Sequence, residues 1–245
     1  MSGSGLVHTR LLGTRGHREA LDRLAEQPVN FTEDELGGPG WHHDEVRHDL
    51  GTERPGVPDA GGCWETACRL VRDYEFAAPE IIRAVYRPSA ALLGRDMLLE
   101  GRFLGLRFLM GVRVTEVVDT ERAGGTERVW GWSYDTLQGH LERGRMTYEV
   151  IKHRDSGRIE FVLYGRSQPA GLGPVLRLGW AAFGRRMQLR FYRRCGQQLA
   201  RLVQDAASGV PAPEPRSEGD VVLAPAGVRP HPLEFLSATR DDPGR

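Results

Sequence analysis

The fold is decided by the stretch RVWGWSYDTLQGHLERGRMTYEVIKHRDSGRIEFVLYG, residues 128–165. Apolar and polar side chains alternate in three parts of it, 128–134, 146–153 and 159–165, and such alternation is typical of β-strands. The sequence DSG at 155–157 favours a tight turn, so the last two strands are expected to form a hairpin. Because neighbouring side chains of a strand point to opposite faces, we expect this sheet to bury one face and expose the other.

The segments before this stretch add further elements. Alternation over 96–119, interrupted at Gly105, predicts two more strands. Residues 79–86 predict a short helix, since their first residue is a proline and proline suits the first turn of a helix. Residues 64–76 predict a strand, or a helix that leads into one. A short amphipathic pattern at 17–26 predicts a helix near the N-terminus.

A long helix is predicted at 174–204, where apolar residues recur at every third or fourth position. Its apolar stripe consists of Leu176, Trp180, Phe183, Met187, Phe191, Cys195, Leu199 and Leu202. This helix is the one predicted element able to cover the buried face of the sheet. The sequence therefore predicts an α+β fold of the helix-grip type, in which a curved antiparallel sheet packs on a long C-terminal helix and leaves room for an apolar ligand.

Composition divides the chain into three parts. Residues 62–205 carry the main strand and helix patterns and predict one folded domain. Residues 1–61 are rich in Gly, Pro, His and acidic residues and predict a partly irregular extension. Residues 206–245 are rich in Pro, Gly, Ser and Ala, and a disordered tail is predicted because such a segment buries little apolar surface.

The charge and cysteine content exclude several function classes. The 33 basic and 33 acidic residues give a net charge of zero, whereas a general nucleic-acid binder needs a basic surplus. No apolar run is long enough for a membrane-spanning helix or a secretory signal. Cys63, Cys68 and Cys195 follow no metal or disulfide spacing and are interpreted as free thiols of a bacterial cytoplasmic protein. The motifs of common hydrolases, kinases and dehydrogenases do not occur, and no cofactor is indicated.

The predicted inner face of the sheet carries candidate ligand-binding residues. They are Trp132, Tyr134, Tyr148, Phe161, Leu163 and Ser167. Apolar walls with a few hydroxyl groups are typical of small-molecule sites. The alternative is a packed core in which these hydroxyls bond to the backbone.

The motifs of residues 131–194 resemble those of the DUF1990 family of uncharacterised domains. The matching positions are Trp132, Tyr134, Thr136, Leu137, Gly139, His140, Glu142, Gly144, Ser167, Pro169, Gly173 and Pro174. The resemblance covers residues 62–205 and points to an actinobacterial branch. It implies a fold similar to the START and Bet v 1 proteins, which bind lipids, polyketides and other apolar molecules. It also adds Thr136 and His140 to the candidate ligand-binding residues.

His140 and Glu142 are the candidate catalytic residues. A histidine that titrates near neutral pH beside a carboxylate can serve as acid and base in a cyclase or hydro-lyase. Tyr134 would then donate a proton or stabilise an oxyanion. The alternative is a strand connection in which the histidine and the glutamate bond to backbone groups of the loop.

The predicted C-terminal helix is strongly basic. Its arginines are Arg177, Arg185, Arg186, Arg190, Arg193, Arg194 and Arg201. An anionic membrane surface or an acidic partner fits such a face, but arginines paired with surface carboxylates are the favoured interpretation. A metal site at His42, His43 and His48 is not expected, because structural zinc sites use four well-spaced ligands.

The leading hypothesis is therefore a cytoplasmic domain that binds an apolar or amphipathic small molecule between the sheet and the C-terminal helix. An enzyme that uses the same pocket is one alternative. A peripheral membrane or partner-binding module is the other. The sequence leaves the ligand and the oligomeric state open.

Overall fold

The computed structural model describes residues 17–103, 106–170 and 185–226, apart from the side chains of 102–108. Three α-helices lie in these ranges: α1 (His17–Asp22), α2 (Cys63–Arg72) and α3 (Arg185–Ala207). The strands are β1 (His42–Thr52), β2 (Ile82–Tyr86), β3 (Asp96–Phe103), β4 (Leu106–Arg122), β5 (Glu127–Thr136), β6 (Glu142–His153), β7 (Arg158–Pro169), β8 (Arg216–Glu218) and β9 (Val221–Ala224). They form one antiparallel sheet in the order β1-β7-β6-β5-β4-β3-β2-β9-β8.

The predicted strands between residues 96 and 165 are confirmed as β3 to β7. The register pairs Trp132 with Tyr148, and Tyr148 with Leu163, so these three side chains share a face of the sheet. On that face they form the main core together with Tyr192, Cys195 and other residues of α3. The predicted α+β helix-grip fold is thus confirmed: a large curved antiparallel sheet packs on a long C-terminal helix.

The predicted long helix is confirmed from residue 185 onward. Within α3 the buried residues are Tyr192, Cys195, Gly196, Leu199, Leu202 and Val203, and Met187 and Phe191 pack against the same core. The predicted positions Gly173, Pro174, Leu176, Arg177, Trp180 and Phe183 lie outside the described residues. No helix in the described ranges is long and apolar enough to cross a membrane.

One of the two predictions upstream of β3 needs correction. Residues 64–76 follow the second predicted alternative, a helix that leads into a strand, because α2 spans Cys63–Arg72 and is followed by a turn and then by β2. Residues 79–86 do not form a helix: Ala78 O accepts the N–H groups of Ile81 and Ile82 in a single turn, and β2 then begins. All five residues of β2 are buried, the charged Arg83 among them. A short segment without alternating burial suits a central strand as well as it suits a helix.

The flanking segments contribute more to the sheet than the sequence predicted. β1 is an edge strand that pairs with β7, although it lies in the extension expected to be partly irregular. In the tail predicted to be disordered, β9 pairs with β2 and β8 pairs with β9. The side chains of β9 alternate between the main core and a second cluster under α1, and this burial offsets the entropy of ordering the segment. Residues on both sides of the 62–205 segment thus take part in the same sheet.

Candidate ligand-binding site

Aromatic side chains from three strands form the centre of the main core. Trp132, Tyr148 and Phe161 are fully buried, and Tyr134 is buried beside them. The Tyr148 and Phe161 rings are nearly parallel, with 12° between their planes and 6.2 Å between their centroids. Leu163 lies opposite Tyr148 and is also buried. Five predicted ligand-binding residues thus share one interior surface with the buried side of α3.

Tyr74 joins this cluster from the turn after α2. The Tyr74 N–H donates to Val71 O at 3.3 Å, and the Glu75 N–H donates to Leu70 O at 2.9 Å, which is the Schellman arrangement that ends many helices. Tyr74 has a φ of 64°, at a position that usually holds glycine. A tyrosine there costs roughly 1–2 kcal/mol of backbone energy. Its ring nevertheless packs in the core, 4.9 Å from Phe76 between centroids.

Three tyrosine hydroxyls converge in this interior. Those of Tyr74 and Tyr148 make no hydrogen bond of good geometry within the described part of the chain, although Tyr148 lies close enough to Tyr74 for the two hydroxyls to influence each other's pKa. The Tyr134 hydroxyl interacts with that of Tyr148. Burial raises the pKa of all three groups above the ordinary range. Each hydroxyl is therefore protonated at neutral pH and can donate a hydrogen bond.

Polar residues meet at the start of α3. Arg185 forms a two-pronged ion pair with Asp44 of β1 and donates a hydrogen bond to Gln188 Oε1 at 2.9 Å. Gln188 Nε2 in turn donates to Ser167 Oγ at 2.9 Å. Ser167, a predicted ligand-binding residue, is thus held by α3. The helix and the β1–β7 edge are joined through charged and polar groups at this end.

Tyr192 links this polar end to the aromatic cluster. A Cβ atom at Gly165 would lie 2.4 Å from the Tyr192 Oη atom, so the hydroxyl requires a glycine on β7. Burial raises the pKa of Tyr192, and the carboxylates of Asp44 and Glu142 raise it further. Glu142 also contributes to the raised pKa of Tyr134. The Glu142 carboxylate therefore acts electrostatically on two hydroxyls at this end of the core.

His140 braces the connection between β5 and β6. The Glu142 N–H donates to His140 Nδ1 at 2.9 Å, and burial lowers the pKa of His140 to about 4. The imidazole is therefore neutral at pH 7, and its Nδ1 atom also lies 3.1 Å from Glu142 O. His140 thus contacts the backbone of Glu142, which is the geometry of the alternative to acid–base catalysis.

Thr136 also lies at the connection between β5 and β6. Its Oγ1 donates to Asn30 Oδ1 at 2.7 Å and accepts the Gly144 N–H at 2.8 Å. The hydroxyl is therefore engaged in holding the segment before β1 to the ends of β5 and β6. The structure brings Trp132, Tyr134, Tyr148, Phe161 and Leu163 together, whereas Thr136 and His140 lie at the strand connection.

The arginines of α3 fall into two groups. Arg185, Arg194 and Arg201 form ion pairs with Asp44, Glu80 and Asp205, respectively. In contrast, Arg186, Arg190 and Arg193 are exposed and form no ion pair within the described ranges. These three arginines, called here the arginine face, surround Leu189, which is 45% exposed.

Two residues of the site were missed by the sequence patterns. Tyr192 could have been found, because it shares the three- and four-residue spacing of Cys195 and Leu199. Tyr74 could not, since its place in the core depends on a left-handed turn at a residue that rarely adopts one.

Comparisons with known proteins give one family and several distant structural similarities. A hypothetical protein from Helicobacter pylori is 11% identical, with a TM-score of 0.42, over 71% of this chain and 94% of that one. An aromatase/cyclase from a Streptomyces species is 14% identical, with a TM-score of 0.41, over 68% of this chain and 96% of that one. A norcoclaurine synthase mutant from Thalictrum is 10% identical, with a TM-score of 0.41, over 69% of this chain and 99% of that one.

No curated protein matches the sequence. Similarity to solved structures at 10–14% identity does not transfer a ligand or an activity. The match to a protein family, in contrast, is one of the sequence itself. Residues 26–198 match the family described as "Domain of unknown function (DUF1990)". The matched region begins before β1 and ends within α3, so it contains most of the sheet and the candidate site. The chain belongs to the DUF1990 family.

Proposed function

We propose that this protein binds an apolar or amphipathic small molecule between the inner face of the sheet and α3. The observation that carries the proposal is the convergence of the Tyr74, Tyr134 and Tyr148 hydroxyls within an aromatic core. Small-molecule sites combine apolar walls with a few convergent polar groups in this way. The polar residues around Arg185 and Ser167 supply a more hydrophilic end for an amphipathic ligand.

A pair of neighbouring substitutions on β7 tests the proposal. Leu163 points into the core and Tyr164 belongs to the cluster on the opposite face. We expect wild type and Tyr164→Trp to bind the apolar probe 2-methylnaphthalene, and we expect Leu163→Trp to lose binding because the larger ring occupies the interior. Circular dichroism and thermal melting verify that both variants fold. Unchanged probe binding by a folded Leu163→Trp variant would place the pocket elsewhere.

The chemistry at this site is binding rather than acid–base catalysis by His140 and Glu142. The His140 Nδ1 atom is already used by the Glu142 backbone, and the lowered pKa keeps the ring neutral at pH 7. The expected setting is a reducing cytoplasm, in line with the free thiols of Cys63, Cys68 and Cys195.

A second candidate function rests on the arginine face. Arg186, Arg190 and Arg193 are spaced by four and three residues, so they lie on one side of α3 around an exposed leucine. A row of cations beside an apolar side chain is complementary to the surface of an anionic bilayer. The occupant proposed for this face is a membrane that contains phosphatidylglycerol.

Vesicle flotation tests this second function. We expect the protein to float with phosphatidylglycerol vesicles at low salt and not to float with phosphatidylcholine vesicles. Replacing the three arginines with glutamine should abolish flotation. Arg201→Gln is the control on the same helix, since Arg201 is already paired with Asp205. Flotation that is equal with both lipids, or that survives the triple substitution, would contradict a role for the arginine face.

A further inference from the structure

We propose that the hydroxyls of Tyr74 and Tyr148 together bind one oxygen atom of the ligand, so that the ligand is an apolar molecule carrying a carbonyl, hydroxyl or phenolic oxygen. This inference rests on the proposed function, because it names the chemical group that the same site recognises.

The first support is the lack of partners for these two groups. Both tyrosines are 0% exposed. Neither hydroxyl makes a hydrogen bond of good geometry to a described residue, and the polar groups near them are other tyrosine hydroxyls of the same cluster. Burying a polar group without a partner destabilises a protein. A ligand oxygen between the two hydroxyls would remove that penalty for both groups at once.

The second support is the contrast with other polar groups of the same core. The Trp132 indole N–H donates to Val71 O at 3.2 Å, and the Trp64 indole N–H donates to Val150 O at 3.3 Å. The Tyr86 hydroxyl donates to Asp73 O at 3.0 Å. Aromatic polar groups near α2 are thus satisfied by backbone carbonyls. The hydroxyls of Tyr74 and Tyr148 differ from them although they lie in the same core cluster.

The third support is the backbone of Tyr74. Its φ of 64° is a left-handed conformation that favours glycine, and the Schellman turn around it would form equally well with glycine there. Strained residues that persist in a core often have a functional role. Tyrosine at this position brings a ring and a hydroxyl to Tyr148, with 6.4 Å between the ring centroids.

The chemistry of the two groups defines the ligand class. Both hydroxyls stay protonated at neutral pH because burial raises the pKa of each, so two O–H donors are available to one acceptor. An oxygen with two lone pairs, or one that carries partial negative charge, accepts both. The Tyr148 and Phe161 rings both pack against Phe76, with 4.6 and 5.3 Å between centroids. The surroundings of the two hydroxyls are therefore aromatic and favour an apolar ligand.

The test compares two probes that differ at one group. 2-Naphthol and 2-methylnaphthalene have the same ring system and similar size, and only the naphthol carries an oxygen. For wild type we expect the naphthol to bind about tenfold more tightly, in line with one well-made buried hydrogen-bond site. Tyr148→Phe and Tyr74→Phe should each reduce this preference to about threefold or less, without weakening 2-methylnaphthalene binding. Tyr164→Phe, on the opposite face of the sheet, is the control and should keep the wild-type preference.

The outcomes separate this inference from the proposed function. If neither probe binds folded wild type, the proposed function fails and the inference fails with it. If both probes bind with equal affinity, or if the preference survives Tyr148→Phe, the site binds apolar molecules and only the role of the two hydroxyls is overturned. Tyr148 has ordinary strand geometry in β6, so the Tyr148→Phe variant suffices for this decision even if Tyr74→Phe does not fold.

Discussion

Lys152 and Glu53 form a buried ion pair, with 2.6 Å between Lys152 Nζ and Glu53 Oε2 and at most 4% exposure of either side chain. Glu53 also accepts the N–H groups of Asp59 and Trp64, so it holds the start of α2. Lys152 is the one lysine among the 245 residues. It lies on β6 and donates a second hydrogen bond to Val57 O at 3.0 Å. The pair therefore ties β6 to the loop that leads into the helix beneath the site.

Lys152→Met should destabilise the protein severely. The substitution leaves the Glu53 carboxylate buried without its cation, which typically costs about 3–5 kcal/mol in the free energy of unfolding. Urea denaturation measures the change. The double variant Lys152→Met/Glu53→Gln should recover part of the loss, since it removes the uncompensated charge. A single variant as stable as wild type would show that the pair does not anchor this loop.

Stability should depend on His140 below neutral pH. Burial lowers the pKa of His140 to about 4, whereas an unfolded histidine titrates near 6.5. Between these values the unfolded state binds more protons, so this contribution decreases as pH falls from 6.5 to 4, by about 3 kcal/mol in total. His140→Asn, which keeps an acceptor for the Glu142 N–H, should flatten the pH profile relative to wild type. Gln138→Ala, an exposed neighbour in the same turn, is the control.

Glu75 should make stability depend on pH in the opposite direction from His140. Burial raises its pKa to about 7, and its carboxyl group accepts the Ala226 N–H. Because an unfolded glutamate ionises near 4.3, the contribution of Glu75 to stability decreases as pH rises from there to 7. Glu75→Gln should therefore remove a loss of stability toward neutral pH, measured by urea denaturation at several pH values. A Glu75→Gln profile parallel to that of wild type would disprove the shift.

Gly196→Ala should destabilise the contact between α3 and β1. A Cβ atom at Gly196 would lie 2.0 Å from the His48 ring, and such overpacking typically costs about 1–3 kcal/mol, more than the helix propensity gained. His48→Ala should make room, so the double variant should be more stable than Gly196→Ala alone. Equal effects of Gly196→Ala in both backgrounds would show that the two residues do not interact.

Removing the Tyr148 hydroxyl should not lower the free energy of unfolding. Tyr148→Phe is expected to leave the stability of the ligand-free protein unchanged or to raise it by about 1 kcal/mol, because the buried hydroxyl makes no hydrogen bond of good geometry. Tyr86→Phe should lower it by about 1 kcal/mol, because its bond to Asp73 O is lost. Thermal unfolding of both variants checks the difference. Destabilisation by Tyr148→Phe would indicate that its hydroxyl has a partner.

The faces of the central strands could be predicted because large apolar side chains alternate with small or polar ones along them, although residues on both faces are buried. Under that condition a period of two fixes where each side chain points. Trp132, Tyr148 and Phe161 accordingly share the predicted face. The same pattern predicts a sheet with one open face, and only the long apolar stripe of the C-terminal helix is able to cover it.

β2 and β9 could not be predicted in this way, because their residues are buried on both faces. Such segments lack the alternation that separates a strand from a helix. The partner of β9 also lies more than a hundred residues earlier in the chain. The position of Tyr74 depends on the helix end and the sheet together, so no local pattern indicates it.

The most direct test of the ligand-binding claim is the native mass of the protein purified from its own host, compared with its mass after denaturing extraction. The account predicts that the native mass exceeds the denatured mass by that of one organic molecule, and that Leu163→Trp lacks this adduct while Tyr164→Trp retains it. Equal native and denatured masses, in a protein that also fails to bind 2-methylnaphthalene, would contradict the account.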